Sequence, residues 1–336
     1  MTAIVLAGEA RDPSRFTALR RAAAATTARH PFFWGVVLMV LTTSLWGLTF
    51  LPPIAIPDAT ATEVAFGRFL VYGLISSLTL DLGRLLRLPA GILVRALLFA
   101  LAGNVVYYVV LMVGMRLAGA TMGVLIIGLL PVTVSVVGQL HADARALKGL
   151  AVPFLLFGAG VIFFNAARTD FFRDVSHLSF VGLLCITASL AMWTWYAIAN
   201  ARFLKATTVV SAKEWSSIIG ILSLIVSLAG LPVSWSLGLA RDPSTLSVPD
   251  LSQLALWSVL LGAGTTWLGT VLFNMASKLL EVSVLGQLIV FDVIFGTIYV
   301  LMVMDTAPSI FELAGLAVAL FAIWLSVHRL QRLGQP

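Results

Sequence analysis

The sequence predicts an all-α integral membrane protein of ten transmembrane helices, arranged as two inverted five-helix repeats with the N- and C-termini in the cytoplasm. Three observations predict this fold class: the composition, the number of apolar runs and the distribution of basic residues. Of the 336 residues, 60% are hydrophobic and 11% are charged, and the mean hydropathy is +1.02. Soluble domains carry roughly 25% charged residues. So little charge cannot cover a water-exposed surface, and we therefore expect most of the surface to face lipid.

Ten apolar runs have about the length of a bilayer crossing. Each is expected to be a helix, because lipid offers no hydrogen-bond partners to the backbone N–H and C=O groups of an open strand. The run Phe32 to Leu51 has full crossing length and no small-residue cleavage site, which argues against a cleaved signal sequence. The predicted spans are 33–52, 62–82, 94–115, 119–140, 146–165, 178–199, 212–235, 252–275, 281–303 and 309–328.

Basic residues give the orientation, because they accumulate in the cytoplasmic loops of membrane proteins. With ten spans, the N-terminal arm, every second loop and the C-terminus share one side. That side holds sixteen Lys and Arg residues, whereas the other side holds Arg116, Arg168, Arg173 and Arg241. The asymmetry places both termini in the cytoplasm and supports an even number of spans.

A polar stretch divides the ten spans into two blocks of five. Because five is odd, the second block begins from the opposite face, so the repeats must be inverted. Trp46 and Trp193 stand at corresponding places in the two halves, and an offset of 161 carries Gly103 onto Gly264 and Pro131 onto Asp292. The predicted divisions are a basic cytoplasmic arm (1–32), the first repeat (33–166), an external linker (167–177), the second repeat (178–330) and a cytoplasmic tail (331–336).

Two short motifs carry a family resemblance. The runs Leu45-Trp46-Gly47-Leu48-Thr49-Phe50 in the first helix and Gly128-Leu129-Leu130-Pro131 in the fourth, on ten spans, resemble the drug/metabolite transporter superfamily. Within it the chain is similar to bacterial EamA-type exporters over about residues 33–330. Arg68 stands where that family tends to place an arginine in its second helix. The resemblance implies a bacterial-type multi-pass inner-membrane carrier with a central pocket between the repeats, lined largely by helices one, three, four, six, eight and nine.

The chain departs from this pattern after the fourth helix, where the family commonly has Gly-Glu and this sequence has His141-Ala142-Asp143. A role borrowed from the family glutamate is therefore in doubt. Among the subfamilies, the aromatic amino-acid exporters of the YddG type are most similar in length, in the placement of aromatic residues and in the hairpin Tyr107–Pro131.

Charged residues inside spans point to function, because each costs at least about 2.5–3.5 kcal/mol at a helix centre. Asp292, near the middle of the ninth span, could bind a substrate amine or a proton, or it could be the structural partner of a buried donor. Arg68 is the natural candidate for that donor. It could instead reach outward to the interface, bind helix carbonyls or hold a substrate carboxylate. These alternatives stay open on the sequence.

Deep aromatic and amide side chains on the helices expected to face the pocket favour an apolar or aromatic cargo, although packing explains a deep tryptophan equally well. Pro131 frees a backbone carbonyl and is expected to kink the fourth helix, so it is the predicted gating residue. The predicted substrate-binding residues are Trp46, Arg68, Asn104, Tyr107, Tyr108, Trp193, Trp195, Trp267, Gln287 and Asp292.

The sequence offers no catalytic constellation, no phosphate-binding loop and no metal-ligand cluster. We therefore expect no enzyme activity, cofactor or metal, and scattered basic residues argue against nucleic-acid binding. The expected partners are a small-molecule substrate and the lipid bilayer, with no protein partner implied. The predicted function is secondary export of aromatic or hydrophobic amino acids, or of related small metabolites, by alternating access. The alternatives are a multidrug or nucleobase-type exporter and, more remotely, a lipid flippase or membrane enzyme. The sequence does not decide between proton antiport and facilitated diffusion.

Overall fold

The structure is a computed structural model that describes residues 30–139, 151–166, 177–305 and 307–333. Most of the predicted basic arm and linker, His141 and the end of the predicted tail lie outside these ranges. Throughout the described ranges the regular structure is helical. The predicted all-α class is therefore confirmed for them.

The first half of the chain contains two irregular helical segments as well as regular helices. A 3-10 turn, Gly47–Phe50, follows the first helix, and a π-helical segment, Leu101–Val105, joins the fifth to the sixth. The helices of this half are α1 (Pro31–Trp46), α2 (Pro52–Ala55), α3 (Ala61–Thr79), α4 (Leu82–Leu86), α5 (Ala90–Ala100), α6 (Val106–Ala118), α7 (Ala120–Ile127), α8 (Leu130–Gln139) and α9 (Ala151–Ala166).

The second half also contains one 3-10 turn and one π-helical segment besides its regular helices. A π-helical segment, Leu260–Leu268, joins two of its helices, and a 3-10 turn, Pro243–Thr245, lies in the loop before them. The helices of this half are α10 (His177–Ala206), α11 (Ala212–Ser236), α12 (Val248–Val259), α13 (Gly269–Leu279), α14 (Val282–Leu288), α15 (Val290–Val303) and α16 (Ile310–Leu333).

Several helical stretches of the described chain are long and apolar enough to cross a membrane. α3, which has 19 residues and carries Glu63 and Arg68, is not among them, and two further stretches, Met122–Val134 and Ile310–Ser326, are apolar but shorter. An integral membrane protein is therefore indicated, while the count of ten spans stays a prediction. The six long stretches are Pro31–Ala55, Ala90–Ala118, Ser179–Ala206, Ala212–Ser236, Val248–Leu279 and Val284–Val303.

The fourth and ninth predicted spans are each interrupted near the middle. In the fourth, α7 ends at Ile127 and α8 begins at Leu130, so that Pro131 is the second residue after the break. In the ninth, α14 and α15 are separated by Ile289 alone. The predicted kink near Pro131 is therefore a helix break, and its position suits a residue that has no N–H to donate.

The long helices pack in pairs that join the two halves of the chain. α3 lies along α11, α6 along α10, α1 along α13 and α9 along α16. Local sequence fixes where two of these helices begin: Thr60 with Glu63 at α3, and Ser211 with Glu214 at α11, form capping boxes that satisfy free backbone N–H groups. The connection between α6 and α7 turns at Gly119, whose φ of 93° favours glycine.

A buried network of amide and hydroxyl groups ties four of these helices together. Asn200 of α10 donates to Asn274 Oδ1 of α13 at 2.9 Å, and the indole N–H of Trp215 donates to Asn200 Oδ1 at 2.8 Å. Asn274 in turn donates to Ser216 Oγ of α11 at 2.6 Å, and the Tyr72 hydroxyl of α3 donates to the Ser216 carbonyl. Both asparagines are fully buried, so every amide group in the network depends on its neighbours.

Replacing Asn274 by leucine is expected to destabilise the protein, because Asn200 Nδ2 then loses its acceptor in a buried site. An unsatisfied buried polar group costs about 1–3 kcal/mol. The melting temperature of purified Asn274→Leu protein in detergent should fall by several degrees relative to wild type. Ser236→Ala is the control, since the exposed Ser236 hydroxyl donates only to the Val233 carbonyl. Equal melting temperatures for the two variants would contradict this view of the network.

Candidate functional site

A cavity lies at the centre of the bundle, where the irregular helical segments of both halves meet. Its walls come from the first 3-10 turn, from both π-helical segments and from α1, α3, α6, α8, α10, α13 and α15. Measured as the space open to the centre of a water molecule, it has a volume of about 40 Å³. That space is large enough for a water molecule but too small for an amino acid.

Most of the predicted substrate-binding residues line this one cavity, although they come from five different helices and one π-helical segment. They are brought together by the pairing of α3 with α11, α6 with α10 and α1 with α13. The predicted residues that line it are Trp46, Arg68, Asn104, Tyr107, Tyr108, Trp193 and Asp292.

Three predicted residues do not line the cavity. Trp195 is 45% exposed and packs edge-on against Phe99, because a position two residues after Trp193 lies on the opposite side of the helix. Trp267 and Gln287 are partly buried elsewhere. Pro131 lies beside the cavity wall, next to Leu130, which does line it.

The sequence analysis missed several lining residues. Tyr196 follows Trp193 by three positions and therefore shares its helix face, a spacing that the sequence does show. Thr49 and Phe50 belong to the same motif as Trp46, and Thr270 lies four positions after Thr266. In the second half, Thr266 and Thr270 line the cavity, whereas Trp267 and Gln287 do not.

Arg68 is held inside the cavity wall and does not reach outward to the membrane surface. Its side chain is 7% exposed, and its Nε donates to Thr266 Oγ1 in the second π-helical segment. The guanidinium carbon lies 4.3 Å from the centroid of the Tyr108 ring and 5.4 Å from that of Phe69. These contacts fix the base of the guanidinium, whereas Nη1 has no hydrogen-bond partner among the described residues.

Asp292 is the acidic residue of the cavity wall. It is 7% exposed and lies in the first turn of α15, where the positive end of the helix dipole favours a carboxylate. Its N–H donates to the Ile289 carbonyl at 2.8 Å, while Oδ1 has no hydrogen-bond partner in the described part of the chain. The expected pairing with Arg68 is not formed, since neither Arg68 Nη1 nor Asp292 Oδ1 has a partner.

Tyr107 and Asn104 line the same cavity wall as the two charged residues. Tyr107 is close enough to Arg68 and to Asp292 to interact electrostatically with both. Asn104 Nδ2 donates to Ser223 Oγ at 3.2 Å, which orients its amide, and the Tyr108 hydroxyl donates to the Thr49 carbonyl at 3.3 Å. The cavity wall thus contains a basic residue, a tyrosine and an acidic residue.

An aromatic cluster forms another part of the wall. The rings of Trp46 and Trp193 meet edge-to-face with centroids 5.3 Å apart. Phe273 packs on both, at 5.2 Å from Trp46 and 5.8 Å from Trp193. The Trp46 indole N–H donates to the Thr265 carbonyl at 3.0 Å. Such rings bury large apolar surfaces and suit an apolar cargo.

Two other acidic residues of the described chain, by contrast, form ion pairs. Glu63 is buried at the start of α3, and its carboxylate accepts from the Arg241 guanidinium at 2.9 Å and from the Arg241 backbone N–H at 2.6 Å. Arg84 and Glu214 form an ion pair of 2.7 Å near the surface. Within the described ranges, no three His, Cys, Asp or Glu side chains come close enough to hold a metal ion.

Comparisons with known proteins agree with the membrane fold. No model of a known protein family matches the chain. The inner membrane protein YtfF of Escherichia coli (strain K12) is 29% identical over 309 residues, which cover 88% of this chain and 95% of YtfF. The chain is a multi-pass inner-membrane protein. A solved crystal structure covering 90% of this chain and 99% of its own shares the fold, with a TM-score of 0.64 and 19% identity.

Proposed function

We propose that the protein is a secondary exporter, which moves aromatic or hydrophobic amino acids, or related small metabolites, across the inner membrane by alternating access. The observation that carries the proposal is a central cavity with a buried cation and a buried anion that have free hydrogen-bonding atoms. A charge inside a membrane span is costly and commonly marks the path of a substrate or ion. Residues that served only to stabilise the bundle would be expected to pair, as Glu63 and Arg241 do.

The irregular segments support an origin of the cavity in two inverted repeats. With the offset of 161 residues, the π-helical segment Leu101–Val105 falls inside its counterpart Leu260–Leu268. The same offset carries the break after Ile127 onto the break at Ile289. Interrupted helices that meet at the centre of two repeats are a recurring way to build a substrate site in carriers.

The helix pairing also has the pattern expected of ten spans related by a two-fold axis. Exchanging the halves leaves the pairs α3 with α11 and α9 with α16 unchanged, and it turns the pair α8 with α14 into the pair α15 with α7. The same exchange turns the pair α6 with α10 into the pair α13 with α1. This arrangement supports the assignment to the drug/metabolite transporter superfamily of EamA type, with the two halves moving against each other around the cavity.

A multidrug or nucleobase-type exporter is the second candidate, because the free oxygen of Asp292 also suits a cationic cargo without a carboxylate. It differs from the first in what Arg68 would do, since a simple cation would leave Arg68 Nη1 without a partner. A membrane enzyme or lipid flippase has no comparable support in the cavity.

Uptake into liposomes that contain the purified protein tests the proposal. The panel consists of labelled phenylalanine, tryptophan, alanine, uracil and tetraphenylphosphonium, each measured with and without a pH gradient. We expect saturable uptake of at least one amino acid above that of empty liposomes. Saturable uptake of the cation or of uracil alone would favour the second candidate, and no saturable uptake of any compound would contradict the exporter function.

A further inference from the structure

The two charges of the cavity come from different halves of the chain and face the same space. Arg68 lies in α3 and Asp292 in α15, and both line the cavity. Each is nine-tenths or more buried, each has a polar atom without a partner, and the two do not form an ion pair with each other. Leaving a buried charge without a partner is strongly unfavourable. A ligand that binds only Arg68 or only Asp292 leaves the second residue buried without a partner, and the unfavourable free energy of that residue remains.

The directions of the free atoms are constrained by their neighbours. Arg68 donates through Nε to Thr266 and stacks on Tyr108, and these two contacts hold the guanidinium in place. Its Nη1 has no partner among the described residues. A guanidinium with such a free edge binds a carboxylate well. Asp292 is anchored through the first turn of α15, and its free Oδ1 can accept from an ammonium. Tyr107 lines the same cavity as both of these residues.

We propose that the cavity recognises the zwitterionic head of a free α-amino acid, with the carboxylate on Arg68 and the ammonium on Asp292. The inference rests on the proposed transport function and narrows its cargo. An amine lacks the group that Arg68 binds, and a carboxylic acid lacks the group that Asp292 binds. The apolar side chain of the amino acid then lies against the edge-to-face pair of Trp46 and Trp193.

The test measures the binding of two ligand series to purified wild-type protein by isothermal titration calorimetry. The first series is phenylalanine, phenylalaninamide and 3-phenylpropionate; the second is alanine, alaninamide and propionate. Hydrogen bonds to charged groups contribute enough to change affinity by about 10- to 100-fold. We expect the amino acid of at least one series to bind about 10- to 100-fold more tightly than both of its singly charged analogues.

Two variants test which group of the ligand binds to Arg68 and which binds to Asp292. Arg68→Gln is expected to abolish the preference for the amino acid over its amide while keeping the preference over the acid. Asp292→Asn is expected to do the reverse. A structural role for either residue would weaken all three ligands of a series alike. Arg84→Gln is the control, since Arg84 lies in a partly exposed ion pair away from the cavity, and it should keep the wild-type pattern.

The wild-type series alone can overturn the inference, even where a variant fails to fold. An amide or an acid that binds wild-type protein as tightly as its amino acid would exclude zwitterion recognition, although the exporter function would stand. Failure of the exporter function looks different, because then no compound of the liposome panel shows saturable uptake. Binding of neither amino acid, together with saturable uptake of a singly charged compound, likewise overturns the inference alone.

Discussion

Replacing Gly103 by valine is expected to reduce amino-acid transport by about tenfold or more, because the new side chain forces a cavity ring out of place. A Cβ atom at Gly103 would lie 2.5 Å from Cγ and Cδ2 of Tyr196, and both distances are shorter than a normal contact. The Tyr196 ring packs against Phe99 on one side and Trp193 on the other, with centroids 5.5 and 5.9 Å away. It therefore has little freedom to move except into the cavity, which is already small.

Gly264 offers a matched control for this variant. It corresponds to Gly103 in the other half of the chain and also lies in a π-helical segment, but a Cβ atom there would meet nothing within 4 Å. Gly264→Val should therefore keep near wild-type uptake in liposomes. Wild-type uptake by Gly103→Val, or an equal loss in both variants, would contradict a cavity whose size is set at Gly103.

Replacing Gly73 by valine is expected to destabilise the protein strongly, because α3 and α11 approach each other through this glycine. A Cβ atom at Gly73 would lie 2.2 Å from Leu224 Cβ, 2.8 Å from the Gly220 carbonyl oxygen and 3.0 Å from Leu224 Cα. Two of these atoms belong to the backbone of α11, so the clash cannot be relieved by a side-chain rotation. Overpacking of this kind costs about 1–3 kcal/mol.

The measurement is the melting temperature of purified protein in detergent, which should fall by several degrees in Gly73→Val. Gly158→Val is the control, since Gly158 lies inside helix α9 and a Cβ atom there would meet nothing within 4 Å. Both variants carry the same β-branched side chain in a helix, so the helix-propensity cost is shared. If the two variants melted at the same temperature, that result would contradict the view that the close approach of α3 and α11 requires glycine at position 73.

The fold class could be predicted from the sequence because it depends on composition and on run length, which are local properties. The same is true of Trp46, Trp193 and Asp292, whose depth in their spans follows from counting along a helix. Trp195 lies at a similar depth but does not line the cavity. Its separation of two residues from Trp193 already puts it on the other helix face.

Other features of the cavity could not be predicted from the sequence. The segment Leu260–Leu268 is π-helical, and its wider turn shifts the register of the residues that follow, among them Thr270, which lines the cavity. No feature of the local sequence predicts that shift in register. The contact between Arg68 and Thr266 joins residues 198 positions apart, and it depends on how α3 meets the second half.

The central claim is that the cavity containing Arg68 and Asp292 carries the cargo. The most direct measurement is the initial rate of labelled phenylalanine uptake into liposomes that contain equal amounts of folded wild-type protein or of Asp292→Asn. We expect saturable phenylalanine uptake by wild-type protein. At a subsaturating concentration, we expect the initial rate for Asp292→Asn to be about 10- to 100-fold lower than that for wild type. Saturable uptake that is unchanged in Asp292→Asn would contradict the central claim.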